Sequence, residues 1–187
     1  MSIRCFVALN FSVAATRRIA DDVEKRKAAV AAAGAKVAWV PAANLHVTLA
    51  FLGTVADEAV EAIAGRLGRV AQNFASLQAR ARGLGGFPSL ERPNVLWVGV
   101  EAEGLAKLQR DVEGQLAEFG FDKETRPFHP HVTVGRVKQP ADLKAAWSGD
   151  GEVAASPLAE IIVYESRTLQ KGAEYIARAR APLGRSI

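Results

Sequence analysis

Leu45-His46-Val47-Thr48-Leu49, which returns as Pro130-His131-Val132-Thr133-Val134, is the stretch on which the fold turns: two of the chain's three histidines sit in matching strings. In an extended strand, side chains at i and i+2 share a face. Each string therefore turns an imidazole and a hydroxyl one way and Val47, Leu49, Val132 and Val134 the other. One copy of His-x-Thr fits a satisfied or solvated histidine well, because polar groups in folded chains routinely find partners. Two copies in equivalent contexts point to a shared site. Imidazole changes protonation near neutral pH, so a neutral and a protonated histidine facing one substrate take and give a proton in a single displacement. The two threonine hydroxyls beside them are placed to donate to phosphate oxygens.

On either side of these strings the pattern alternates between strands and helices. Arg4 to Leu9 reads as a short apolar strand, and Val13 to about Ala33 as a helix capped by Ser12 and closed by Gly34. Lys36 to Val40 is a strand halted by Pro41, and Leu45 to Leu52 carries the first string and ends at Gly53. Asp57 is placed to cap a helix whose Val60, Ile63, Ala64, Leu67 and Val70 form one apolar stripe. The middle of the chain reads as a strand from Leu77 to Leu84, a turn at Gly85-Gly86-Phe87-Pro88, a strand from Val95 to Val100, and a helix marked by Leu105, Leu108, Val112 and Leu116 and closed by Gly120. Pro127 to Val137 carries the second string. Glu160 to Leu169 and Ala173 to Arg180 form a hairpin about Gln170-Lys171-Gly172.

Each half thus runs strand, helix, further chain, His-x-Thr strand, which is the order of an internal duplication. The expected fold is α+β: two lobes related by a pseudo-twofold, antiparallel sheets lining a central cleft, helices packed outside, and residues 1–187 acting as one domain without a separate linker domain. Ligand pockets favour such lobe interfaces.

Composition bounds the function classes. The chain has 187 residues, 49% apolar and 24% charged, which suits a globular core and excludes wholesale disorder or a fibrous class. A net charge of +4 from 24 basic and 20 acidic residues suggests a local basic cleft and not a surface that coats nucleic acid. The single cysteine, Cys5, excludes an intramolecular disulfide and a multi-cysteine zinc site, and its apolar strand suits a buried thiol. Ile3 to Ala15 is interrupted by Arg4 and Asn10, and no apolar run reaches membrane-spanning length. A soluble, cytoplasmic monomer with no membrane contact is expected.

The strings Asn44-Leu45-His46-Val47-Thr48-Leu49-Ala50-Phe51-Leu52-Gly53 and Arg126-Pro127-Phe128-His129-Pro130-His131-Val132-Thr133-Val134-Gly135-Arg136 resemble the paired signatures of the two-histidine phosphoesterases. More narrowly, the chain resembles the RNA 2′,3′-cyclic phosphodiesterases, long called 2′-5′ RNA ligases. The likeness extends from Arg4-Cys5-Phe6-Val7-Ala8-Leu9 through Val95-Leu96-Trp97-Val98-Gly99 to Tyr164-Glu165-Ser166. The resemblance implies that His46 is the proton donor and His131 the proton acceptor in opening an RNA 2′,3′-cyclic phosphate to a 2′-phosphate, with Thr48 and Thr133 donating to the non-bridging oxygens. It also implies a phosphate contact for Arg136. Strict strand alternation puts Arg136 on the face opposite His131, so that role requires a bulge or a long reach. Arg126 is expected to hold its loop.

Other readings attach to the same residues. His129 forms His-x-His with His131, a spacing that suits a metal. No Asp or Glu accompanies either motif strand, however, and Asp122 and Glu124 belong to a loop, so activity without a metal or other cofactor is expected and His129 is assigned a structural place. Phe11, Trp39 and Phe128 lie near strand ends where a base could stack, with core packing the stronger reading for each, and Phe51 is expected on the buried face with Val47 and Leu49. Two alternatives stay open: the same chemistry on a small nucleotide such as an ADP-ribose cyclic phosphate, and a non-catalytic module that grips RNA ends. Reversible 2′-5′ ligation follows from microscopic reversibility.

Overall fold

The computed structural model describes residues 1–170 and 172–184. Among these, nine strands and three helices follow in the order β1 (Ser2–Leu9), α1 (Val13–Ala32), β2 (Lys36–Trp39), β3 (Val47–Ala56), α2 (Ala59–Ala71), β4 (Leu77–Phe87), β5 (Val95–Ala102), α3 (Leu105–Ala117), β6 (His131–Gln139), β7 (Glu152–Leu158), β8 (Glu160–Leu169) and β9 (Gly172–Pro182). The strands form one antiparallel sheet ordered β7-β4-β5-β6-β3-β1-β8-β9, with β2 added to β6. Its two halves, β7-β4-β5-β6 and β3-β1-β8-β9, meet at a single pair, Val47 with Val132. Thus the duplicated α+β fold with helices on the outer side is present, and the two expected sheets are one sheet joined at its narrowest point.

Alternation of buried and exposed residues fixes the faces. Leu9, Val47, Leu96, Val98, Val132 and Val134 are all buried in the main core, on the side covered by the helices. Apolar burial of this kind contributes about 25 cal/mol per Å2 removed from water. Two of the three helices are exchanged between the halves: α1, which follows β1, packs on β7, and α3, which follows β5, packs on β3 and α2, whereas α2 stays on β8 and β9 of its own half. Gln109 of α3, itself buried, donates to the Leu49 carbonyl at 3.4 Å. None of the described helices is long and apolar enough to cross a membrane.

Ser12 caps α1 as expected, its Oγ accepting from the Ala15 amide at 3.2 Å, and Gly34 follows with a φ of 92°. Asp57 does not cap α2. Its carboxylate instead accepts from Arg178 Nη2 at 2.6 Å, and Arg178 also reaches the buried Glu165 at 2.7 Å, clamping β9 to the corner between β3 and α2. Gly53 does not end β3; with φ at 65° it absorbs an irregularity after which pairing with β1 runs on to Ala56. The Gly85-Gly86 stretch belongs to β4 and not to a turn, and glycine is required there because a Cβ on Gly85 would stand 2.2 Å from the Trp97 ring. β7 lies in a stretch with little alternation of its own to signal a strand. Lys171 of the expected hairpin turn lies outside the described residues.

Candidate active site

Val47 and Val132 pair with their side chains in the core, so continuing that register one residue each way brings His46 across from Thr133 and Thr48 across from His131 on the concave face. Cross-strand neighbours hold their Cβ atoms about 4.5–5.5 Å apart and diagonal ones about 7–8 Å. The four motif side chains therefore form a compact quartet with the histidines on its diagonal. All four are half-buried.

Both imidazoles are oriented by the same device. His46 Nδ1 lies 2.7 Å from the Asn44 carbonyl, and His131 Nδ1 lies 2.7 Å from the His129 carbonyl. A carbonyl only accepts, so Nδ1 carries the proton in each ring and Nε2 is left as the nitrogen that exchanges one. Burial pushes both histidines below their ordinary value. The Asn44 bond and the charges of His131 and Arg136 act secondarily on His46, and the His129 bond and charge on His131.

Arg136 reaches this face through a bulge. Along β6, Thr133 pairs with Trp97 and Gly135 with Leu96, which leaves Val134 as an extra residue. Parity flips there, so Val132, Val134, Gly135 and Val137 turn to the core while His131, Thr133 and Arg136 turn to the cleft. The same irregularity occurs at the matching place in β3, where Thr48 pairs with Ala8 and Ala50 with Val7, leaving Leu49 extra. In consequence Phe51 is not on the buried face. It is 72% exposed and stands in the position that Arg136 holds in the other half.

Rings wall both histidines. His46 has Phe6 at 4.8 Å, Tyr175 edge-on at 5.3 Å and Tyr164 at 6.4 Å. His131 has Phe87 edge-on at 5.2 Å and Trp97 at 6.2 Å. Asn44 has a second task, since its Nδ2 donates to the Ala173 carbonyl at 2.7 Å and so ties the strand that carries Tyr175 to the loop that carries His46. His129 packs edge-on to Trp97 at 4.6 Å. Among the described residues, two buried side-chain polar atoms have no hydrogen-bond partner, Asn10 Oδ1 and Trp97 Nε1. Both residues continue concave-face positions of β1 and β5, and leaving a buried polar atom unpaired costs about 1–3 kcal/mol.

His46, His131, Thr48, Thr133 and Arg136 are thus brought together. Phe11 is buried and Trp39 packs 5.8 Å from Trp147, so both serve the core, as Phe128 does in part. Arg126 bonds Glu124 of its own loop at 2.6 Å. Sequence reasoning missed Phe51, Asn44 and the two tyrosines. The signal for Phe51 was present: it follows His46 by the same interval as Arg136 follows His131, and any bulge invoked for one applies to the other.

A family model of the 2′-5′ RNA ligase superfamily matches residues 16–150. An Aeropyrum pernix protein named RNA 2′,3′-cyclic phosphodiesterase is 35% identical over 153 residues, 78% of this chain and 86% of its own. A Thermotoga maritima protein of the same name is 34% identical over 137 residues, covering 73% and 71%. Among solved structures, a Thermus thermophilus protein superposes with a TM-score of 0.81 at 25% identity, covering 97% of this chain and 98% of that one. Apo Escherichia coli LigT superposes with 0.79 at 26%, covering 98% and 99%.

Proposed function

Because the chain belongs to the 2′-5′ RNA ligase superfamily, we propose that it is an RNA 2′,3′-cyclic phosphodiesterase that opens the terminal ring to a 2′-phosphate. The observation that carries this reading is the pair of imidazoles, each with Nδ1 held by a carbonyl two residues upstream and Nε2 free on the same concave face. In the forward reaction His131 Nε2 takes a proton from water as the water oxygen bonds to phosphorus. The bond from phosphorus to O3′ breaks, and His46 Nε2 gives its proton to O3′. Thr48, Thr133 and Arg136 hold the non-bridging oxygens as charge builds on them.

The chemistry of the two walls supports this direction. Phe51 is an exposed ring on the side of His46, a face on which a nucleobase stacks, while Arg136 stands on the side of His131. A nucleoside bound against Phe51 places its departing oxygen near His46, which suits the donor role. Residues 1–187 act as one domain in this scheme, and 2′-5′ ligation of RNA ends is the same ring opening with a ribose 5′-hydroxyl in place of water as the attacking group.

The test is hydrolysis, with chelator present, of a short RNA ending in a 2′,3′-cyclic phosphate, with the product end identified. Wild type is expected to yield a 2′-phosphate, and His46→Ala and His131→Ala each to lose about a hundred- to ten-thousandfold in kcat/KM. Turnover that survives both substitutions, or none by folded wild type, would sink the proposal. In the latter case a small cyclic nucleotide or an RNA-end-binding role becomes the next reading to test.

A further inference from the structure

Beyond Arg136 the floor of the cleft carries two further cations, past the small side chain of Ala38. After the bulge, Val137 turns to the core, which leaves Arg136 on the concave side of β6, followed there by Lys138, an extra residue between the Val37–Val137 and Lys36–Gln139 pairs. β2 takes over from β3 as the neighbour of β6 along this stretch. There Val37 and Trp39 pack on the core, so Lys36 and Ala38 share the side of Arg136, with Ala38 directly paired to it. Lys36, Arg136 and Lys138 are exposed, and none forms an ion pair among the described residues, whereas Arg26, Arg66, Lys107, Lys144 and Arg178 elsewhere do. Neither β2 nor β6 contains an Asp or Glu. At the corresponding end of β3 stand Gly53, Thr54 and Ala56, with no cation, and β2 has no counterpart in that half among the described residues.

We infer that Lys36 and Lys138, neighbours one step beyond the Ala38–Arg136 pair, form the track for the RNA chain that precedes the cyclic end. The inference rests on the reading given above and extends it from the reacting nucleotide to its 5′ neighbours. The strand from His131 to Lys138 covers about 20 Å at roughly 3.3 Å per residue, a length that takes more than one nucleotide. Phosphates are recognised here by charge alone, in a groove without acidic residues to repel them, as suits a single strand of any sequence. A small cyclic nucleotide would end at Arg136 and leave both lysines idle. A substrate with a chain would use them.

The experiment compares a mononucleoside 2′,3′-cyclic phosphate with a ten-nucleotide RNA carrying the same terminal nucleoside cyclic phosphate. Both are measured with wild type, with the Lys36→Ala/Lys138→Ala double variant and with the Lys36→Glu/Lys138→Glu double variant. The alanine pair should lower kcat/KM on the RNA about tenfold and reduce the slope of its log–log salt dependence by about 1.4, the value for two lost contacts to a single strand. The glutamate pair should lower it further. The mononucleotide should change less than twofold in either variant. If the mononucleotide is turned over but the RNA loses no more than the mononucleotide, or keeps its salt slope, the track is refuted while the phosphodiesterase reading stands. If wild type turns over neither substrate, that reading fails and the track fails with it.

Discussion

The two halves of the cleft are built alike around their histidines and differently where a substrate would be held. Each has a histidine whose Nδ1 bonds the carbonyl two residues before it, a threonine two residues after it, and a bulge that restores the next cleft-facing side chain. At that next position one half presents Phe51 and the other Arg136. Symmetry therefore falls on the two imidazoles to which the proposed reaction gives the acid and base roles, and its loss at the next matched position would give that reaction a direction. The walls differ in the same sense. Tyr164 and Tyr175 stand near His46, and Trp97 with Phe87 near His131.

Acidity is the widest lever on this comparison. Burial lowers both histidines from the ordinary 6.5, so with His131 as the proposed base and His46 as the proposed acid, the base is expected to be neutral already somewhat below that value and the rate to be limited at higher pH by loss of the His46 proton. The optimum of kcat/KM is expected on the acid side of 6.5, with a fall of about tenfold per pH unit on the alkaline limb. An optimum above about 7.5 in a pH–rate profile would contradict that order of protonation.

Arg136→Ala would remove the proposed charge-assisted contact to phosphate, worth about 1.5–3 kcal/mol, and should cost roughly 10- to 100-fold in kcat/KM. It also removes a cation whose charge lowers His46, so the alkaline limb should move to higher pH. A loss without that movement would place the guanidinium away from the acid. Phe51→Ala should raise KM about tenfold through lost stacking and leave thermal stability nearly unchanged, because the ring is exposed. A large drop in melting temperature, or an unchanged KM, would remove Phe51 from the substrate's path. Asn44→Ala is the smallest test. Freeing β9 from the loop before His46 should cost a few-fold in kcat with KM little altered, and Asn44→Asp, which cannot donate to the Ala173 carbonyl, should not restore it.

The helices, most strands and the four motif residues are readable because their signals are periodic: apolar spacing in α2 and α3, alternation in β3 and β6. What cannot be read from alternation is its interruption. Strict alternation sends both Phe51 and Arg136 to the wrong face for one reason, that a single extra residue in a ladder reverses every later side chain. Asp57 looks like a cap by type and position, yet a partner from β9, far along the chain, claims its carboxylate. Asn44 carries no chemical signal at all, since its tie to Ala173 exists only once the hairpin is folded over the cleft.

The exchange of helices between the halves has a mechanical result. Moving the lobes apart as rigid bodies would strip α1 from β7 and α3 from β3 together, exposing core on both sides, so the gap between the imidazoles has no soft hinge. In the proposed reaction a ring of cyclic phosphate meets two imidazoles whose orientation the fold has already set. The entropy of aligning them is settled once, as the chain folds, and not again at each turnover.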